Sequence, residues 1–329
     1  IKITLLDILF FGYFLILFVI LLFNTKGIEP LYIVFREVFV LFIMIFIFSQ
    51  LQIYKKDWDR IMNIIFYLLI LNSGFIILTY LIGPEEYMKL MTGRFKWGID
   101  PEYKFKITNF YNFWRSPALI GNPASVAYFS VIAYLMMDQE PKFKKKKYIT
   151  LFPLIFSFVR SAYLIFIVYE FLKFFTKKKN LKKLIIVLKV GVPLLILGFL
   201  YLTKYDIFST ASLYDRFYLW TTQINVDYNV IYGGSIGNVG GGVRGGGFIE
   251  TLDSYWLLVF LSSGIIGVLL SSLFVYEKSK NNNKFLFILI AFILAGFFVN
   301  LTQSIVFLVL FPMLFLKTKE HKYELNKNV

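Results

Sequence analysis

Apolar runs long enough to cross a lipid bilayer recur from one end of this chain to the other, and nothing constrains its folding more. The first, "ITLLDILFFGYFLILFVILLF" (3–23), carries almost no polar group. About 20 such residues in a helix cover a hydrocarbon core about 30 Å thick. Inside lipid the backbone must satisfy its own hydrogen bonds, which leaves only helices or closed barrels. A barrel would show alternating segments of about ten residues, and none occur here. The expected fold class is therefore all-α, a polytopic integral membrane protein, with residues 1–329 forming a single helical membrane domain.

About ten spans are expected, at 4–23, 31–49, 61–83, 117–137, 148–159, 162–175, 184–203, 255–276, 285–299 and 303–316. The first run is too long for a signal peptide and lacks a small-residue cleavage site, so it reads as a retained span.

The formal charge of +15 raises the question of nucleic acid. Its distribution answers otherwise. Lysines gather in short segments between spans: "KKDWDR" (55–60), "KFKKKK" (142–147), "KKKNLKK" (177–183), "EKSKNNNK" (277–284) and the tail. Short loops rich in Lys and Arg stay on the cytoplasmic side. The charge therefore reads as topology, with anionic membrane lipid as its partner and no nucleic acid. An even span count puts both termini inside and leaves two longer outward loops, 84–116 and 204–254.

The segment 148–175 is flanked by lysine clusters at both ends, so it is expected to be a hairpin. Arms of about 12–14 residues reach roughly 18–21 Å, short of the core. The turn "VRSA" (159–162) should then be recessed below the outer surface, carrying Arg160. Arg160 either snorkels to headgroups or marks a site, since arginine at membrane depth costs at least about 2.5–3.5 kcal/mol. Arg36 and Glu37, near the outer end of the second span, read as a snorkelling neighbour pair.

The chain has no Cys, and its one His, His321, lies in the charged tail. Disulfides, thiolate chemistry and Cys- or His-built metal sites are thereby set aside, and no cofactor or metal is expected. The stretch "GGSIGNVGGGVRGGG" (233–247) contains "GGGVRG" (240–245), a literal G-x-G-x-x-G. It lacks the preceding strand, following helix and downstream acid of a dinucleotide site. The stretch reads as a plain linker or as a lid that moves aside for a bulky substrate.

Four segments carry a more specific pattern. "DSYWLLVFLSSGIIG" (253–267) sets Asp253 and Ser254 nine residues before Gly264-x-x-Gly267. "RSPALIGNPASVAYFS" (115–130), "SFVRSA" (157–162) and "LYDRFYLW" (213–220) precede it in order. Together they resemble the O-antigen ligase and O-antigen polymerase superfamily over roughly half the chain. The resemblance implies a multi-spanning, metal-independent glycosyltransferase at the outer face of a bacterial plasma membrane. Its substrate would be a polyprenyl-pyrophosphate-linked oligosaccharide, and its partners flippase and chain-length regulator proteins. By position, Arg160 and Arg216 would grip the pyrophosphate, and Asp253 would stand where ligases have a catalytic histidine, a departure that fits polymerase-like members better.

The chemistry is coherent on its own terms. A pyrophosphate leaving group gains negative charge as its bond to the sugar breaks, and arginine's planar, permanently charged fork suits it. The attacking hydroxyl needs a base, and a carboxylate serves. Asp253 is the candidate, although Asp before an apolar run is also a preferred helix N-cap. Glu250 and Asp227 are reserve carboxylates. Arg115 and Arg244 are candidate phosphate or sugar contacts, or ordinary loop charges, and Trp220 could stack on a sugar or sit in an interfacial belt. The expected function is polymerisation of lipid-linked repeat units into surface polysaccharide. The alternatives are a ligase of the same fold, a lipid-linked glycan flippase, and a non-enzymatic membrane organiser.

Overall fold

The first helix begins where the sequence supplies a reciprocal cap. Thr4 Oγ1 accepts from the Asp7 backbone N–H at 3.2 Å, and Asp7 Oδ2 accepts from the Thr4 N–H at 2.9 Å. Such a box satisfies two of the four donors a helix start leaves open. The computed structural model describes residues 3–25, 27–92, 108–110, 113–175, 226–240, 250–251, 254–280 and 283–319. It is mostly helical. Among the described residues four helices are long and apolar enough to cross a membrane. They are α1 (Leu5–Asn24), the composite Ile28–Gln50, α4 (Lys55–Ile82) and α9 (Tyr255–Ser279). The composite joins α2 (Ile28–Val34), a π-helix (Phe35–Val40) and α3 (Leu41–Gln50).

The shorter helices are α5 (Pro84–Thr92), α6 (Pro123–Gln139), α7 (Leu151–Phe156), α8 (Arg160–Phe175), α10 (Asn283–Phe298) and α11 (Ile305–Met313). The expected span 184–203 lies outside the described residues. Short strands form three two-stranded ladders: β1 (Gln52–Tyr54) runs parallel to β6 (Lys317–Lys319), β2 (Thr108–Phe110) pairs antiparallel with β3 (Phe113–Arg115), and β4 (Val239–Gly240) runs parallel to β5 (Glu250–Thr251).

The helix α6 is the centre of the bundle. Asn122 caps it by accepting from the Ala124 N–H at 2.8 Å, and Pro123 pre-sets its first turn. Every residue from Val126 to Asp138 is buried, as expected of a helix enclosed on all sides. The outer helices show the opposite pattern. α1 buries Phe10, Leu17 and Leu21 but leaves Leu15 at 63% and Ile16 at 59% exposure. Exposed apolar faces on this scale suit a lipid solvent, not water.

Lysine clusters gather at one end of the bundle and are partly structural. Lys55 pairs with Glu140, Lys142 pairs with Asp59 at 2.7 Å, and Trp58 Nε1 donates to Glu140 at 2.8 Å. The nearly buried Asp138 receives Lys147 and Lys173, each at 2.6 Å, and the Tyr169 hydroxyl at 2.7 Å. Glu170 completes the group, 3.8 Å from Lys147 and 3.2 Å from Lys173. Burial by itself would raise the Asp138 pKa, but the Lys147, Lys173 and Tyr169 hydrogen bonds outweigh it and hold the carboxyl at about 2. At the same end Lys278 closes on Asp7 at 2.6 Å, joining α9 to α1.

The long helix α9 is broken. Gly264 has φ 62° and ψ −169° inside it, and the segment 226–240 packs into the break. Ile265 N–H donates to the Val230 carbonyl at 2.9 Å and Ile266 N–H to that of Ile231 at 3.2 Å. On the other side Gly234 and Ser235 donate to the Ser262 and Leu261 carbonyls at 3.3 and 3.2 Å. A Cβ on Gly264 would lie 2.3 Å from the Ile231 oxygen, and one on Gly233 2.4 Å from the Ser263 nitrogen. From α1, Tyr13 donates to the Ser263 carbonyl at 2.6 Å and Asn24 to that of Ile236 at 2.8 Å. Irregular backbone at membrane depth is tolerated only when buried in protein in this way. The glycine stretch is thus neither free linker nor free lid over 233–240: it is the wedge that fills a broken helix. Residues 241–249 lie outside the described residues.

Two further expectations change. The turn of the 148–175 hairpin falls at Ser157–Val159, so Arg160 opens α8. Glu37 does not snorkel: it is fully buried, because the π-helix carries one residue more per turn and rotates it inward.

Candidate functional site

Two arginines singled out by the sequence come together at the far end of the bundle from the lysine clusters. The helix α4 measures the separation, since Lys55 sits by Glu140 and Thr79 by Ser116, about 36 Å apart along the helix. Here the segment 113–121 is clamped onto the end of α4. Ser116 Oγ lies 2.8 Å from Thr79 Oγ1, Tyr80 donates to the Trp114 carbonyl at 2.6 Å, and Asn72 accepts from the Leu119 N–H at 3.2 Å. From α5, Tyr87 donates to the Ala118 carbonyl at 2.9 Å. Burial pushes the Tyr87 hydroxyl up to about 12, so it remains a donor throughout.

The turn that opens α8 packs against this segment. The Phe113 and Phe158 rings stack with centroids 5.4 Å apart. Arg115 lies two residues beyond Phe113 in β3, and Arg160 two beyond Phe158. Arg115 ends β3 and Arg160 begins α8, so the stack brings the two chain segments that carry them to the same end of the bundle. Arg160 is exposed and Arg115 half-buried. Burial first, and then the charge on Arg160, push the Arg115 pKa down, with Tyr163 opposing.

Both supports are strained. Ala118 and Phe158 adopt φ of 44° and 50°, the only non-glycine positive values among the described residues. Such conformations cost about 1–3 kcal/mol each and persist where the surroundings impose them. Each strained residue lies within three positions of an arginine. Tyr128 and Ser161 hydroxyls meet at 2.9 Å beside it, tying α6 to the first turn of α8. Arginine side chains and hydroxyls are groups whose chemistry suits an anion carrying several oxygens.

Of the other expected site residues, Arg216, Trp220, Arg244 and Asp253 lie outside the described residues. Glu250 is described only through its backbone, as the β5 partner of Val239. Asp227, the reserve carboxylate, is exposed, and its carbonyl accepts from Ser235 Oγ at 2.7 Å. The clamp residues Asn72, Thr79 and Tyr87 did not stand out in the sequence. Their one signal was Asn72 and Ser73 interrupting an otherwise apolar span. The G-x-x-G pair has a local role: a Cβ on Gly267 would lie 1.9 Å from Ser263 Oγ, so small residues here let the α9 break close. A cavity of about 600 Å³ lies at the lysine end between the start of α1 and the ends of α3 and α9. No protein-family model, curated protein or solved structure matches the chain.

Proposed function

We propose that the chain is a glycosyltransferase that polymerises polyprenyl-pyrophosphate-linked oligosaccharide units into surface polysaccharide. In this reading it crosses a bacterial plasma membrane about ten times, with the lysine clusters and both termini inside. The loops 84–116 and 204–254 and the arginine pair then face outward. The juxtaposition of Arg115 and Arg160 across the Phe113–Phe158 stack carries the reading. Two arginines bind a pyrophosphate through several charge-assisted hydrogen bonds and stabilise the charge it gains on leaving.

The reaction balances without an added oxidant or reductant. The bond from the sugar's anomeric carbon to the pyrophosphate oxygen breaks, and a bond to the acceptor hydroxyl oxygen forms. The hydroxyl proton passes to a carboxylate, for which Asp253 is the candidate, and Arg216 adds a third cation to the departing pyrophosphate.

The test is the length distribution of surface glycan in cells carrying wild type, Arg115→Ala or Arg160→Ala at equal protein level. Collapse of the ladder to single repeats in both variants is the expected result. Full-length glycan accumulating on its lipid carrier would reassign the chain as a ligase. An unchanged ladder in both variants would remove the arginine site.

A further inference from the structure

A second cluster of polar groups lies away from the arginine pair, on the composite helix Ile28–Gln50. Its π-helix turns Glu37 fully inward and leaves the Arg36 side chain 19% exposed beside it. Arg36 Nη2 donates to Glu37 Oε1 at 3.1 Å, and Asn300 Nδ2 donates to Glu37 Oε2 at 3.1 Å. Asn300 is held in turn by Thr302, whose hydroxyl donates to its Oδ1 at 2.6 Å. Each carboxylate oxygen thus has a fixed donor, and the guanidinium is fixed along one edge. Its Nε is buried and makes no hydrogen bond among the described residues. Intramembrane ionisable groups are rare and usually mark a site, and π turns often accompany one.

Next to this cluster is an apolar cavity of about 120 Å³, bounded by α3, α9, α10 and α11. Leu41, the first residue beyond the π-helix, lines it, as do Leu301 and Thr302, which follow Asn300. Trp256, Phe292 and Phe307 supply aromatic walls. Tyr255 also lines it, and its hydroxyl is buried without a hydrogen bond among the described residues. A guanidinium edge and a phenol beside a hydrocarbon-lined space are complementary to an amphiphile.

We infer that this is a binding site for one anionic glycerophospholipid of the bilayer, with its phosphate on Arg36 and a short segment of one acyl chain in the cavity. Charge selects that occupant over a pyrophosphate lipid. Arg36 and Glu37 sum to zero, so the site tolerates the single charge of a phosphate diester, whereas a pyrophosphate would meet Glu37 with two or more. The second acyl chain stays in the surrounding bilayer. The inference needs only a membrane-embedded chain and does not depend on the glycosyl-transfer reading.

The test is native mass spectrometry of the full chain in detergent, titrated with dioleoylphosphatidylglycerol. Removing Arg36 alone would strand a buried carboxylate, so the variant is the neutral pair Arg36→Gln/Glu37→Gln, which keeps the shape and the Asn300 contact. Ser272→Phe, filling the cavity from α9, is the second variant. Wild type should hold one phosphatidylglycerol, and each variant should weaken that binding at least tenfold. Equal retention by the neutral pair would overturn the site, as would equal competition by dioleoylglycerol, which has no phosphate. Preferential binding of a polyprenyl phosphate at matched concentration would overturn the choice of lipid.

Discussion

Replacing Asp138 by Asn tests whether the lysine-end network is a buried structural unit or a set of surface charges. The side chain of Asp138 is 1% exposed and that of Lys147 5%. Removing one partner of a buried pair typically costs about 3–5 kcal/mol, because the remaining charge stays buried. Here Lys147 would keep Glu170 at 3.8 Å and the Tyr134 ring face at 4.5 Å. Lys173, 24% exposed, would keep Glu170 at 3.2 Å. That residual pairing sets the expectation at the low end, about 3 kcal/mol. The amide preserves volume, so no cavity contributes. Equilibrium unfolding in mixed micelles, followed by tryptophan fluorescence, measures the loss. The companion variant Asp138→Leu/Lys147→Met removes both charges together, and an apolar replacement of a buried pair is often neutral or better. It should recover most of the stability. A single-variant loss under about 1 kcal/mol, the scale of an exposed pair, would refute the reasoning, and so would a double variant no better than the single.

The same carboxylate sets an acid limit. Its folded pKa is lowered to about 2 from 3.8, so its contribution is complete above pH 3.8 and is lost as pH falls from there through about 2. Roughly 2 kcal/mol should disappear over that window, and the step should be missing from Asp138→Asn in an acid titration of micelle-bound protein. Gly264→Ala places a methyl 2.3 Å from the Ile231 oxygen at φ 62°; it should cost about 3 kcal/mol or more and expose 226–240 to limited proteolysis. Gly74→Ala, on the exposed face of α4 with nothing within 4 Å of the new Cβ, should instead gain about 0.5–1 kcal/mol. Equal thermal shifts for the two glycine variants would contradict the packing at the α9 break.

Helix positions were legible because hydrophobicity alone fixes them. The apolar runs at 4–23, 31–49, 61–83 and 255–276 coincide with the four helices long enough to cross a membrane. The flanking lysine clusters were enough to place a reversal inside 148–175, within two residues of its observed position. What could not be read is anything that depends on helical phase or on distant chain segments. An α-helical projection puts Glu37 next to Arg36 on a lipid-facing edge, whereas the extra residue of the π turn rotates it into the core. Lys147 looks like one more topology lysine in "KFKKKK", because its partner Asp138, one residue past the expected span 117–137, reads as an ordinary charge at a span end. In the arginine pair, each residue stood out from its own surroundings. Their meeting rests on the Phe113–Phe158 stack between segments 45 positions apart, which no local pattern encodes.

The wedge at the α9 break has a consequence for how the chain is made. Tyr13 finds its acceptor on Ser263, 250 residues later in synthesis. At about 5–20 residues per second, the first helix waits roughly 12–50 s in the membrane before the carbonyls it caps exist. Asn24 waits almost as long for Gly234 and Ile236. The earliest helix is therefore among the last to be completed, and assembly of the bundle is a post-insertion event that closes on its own beginning.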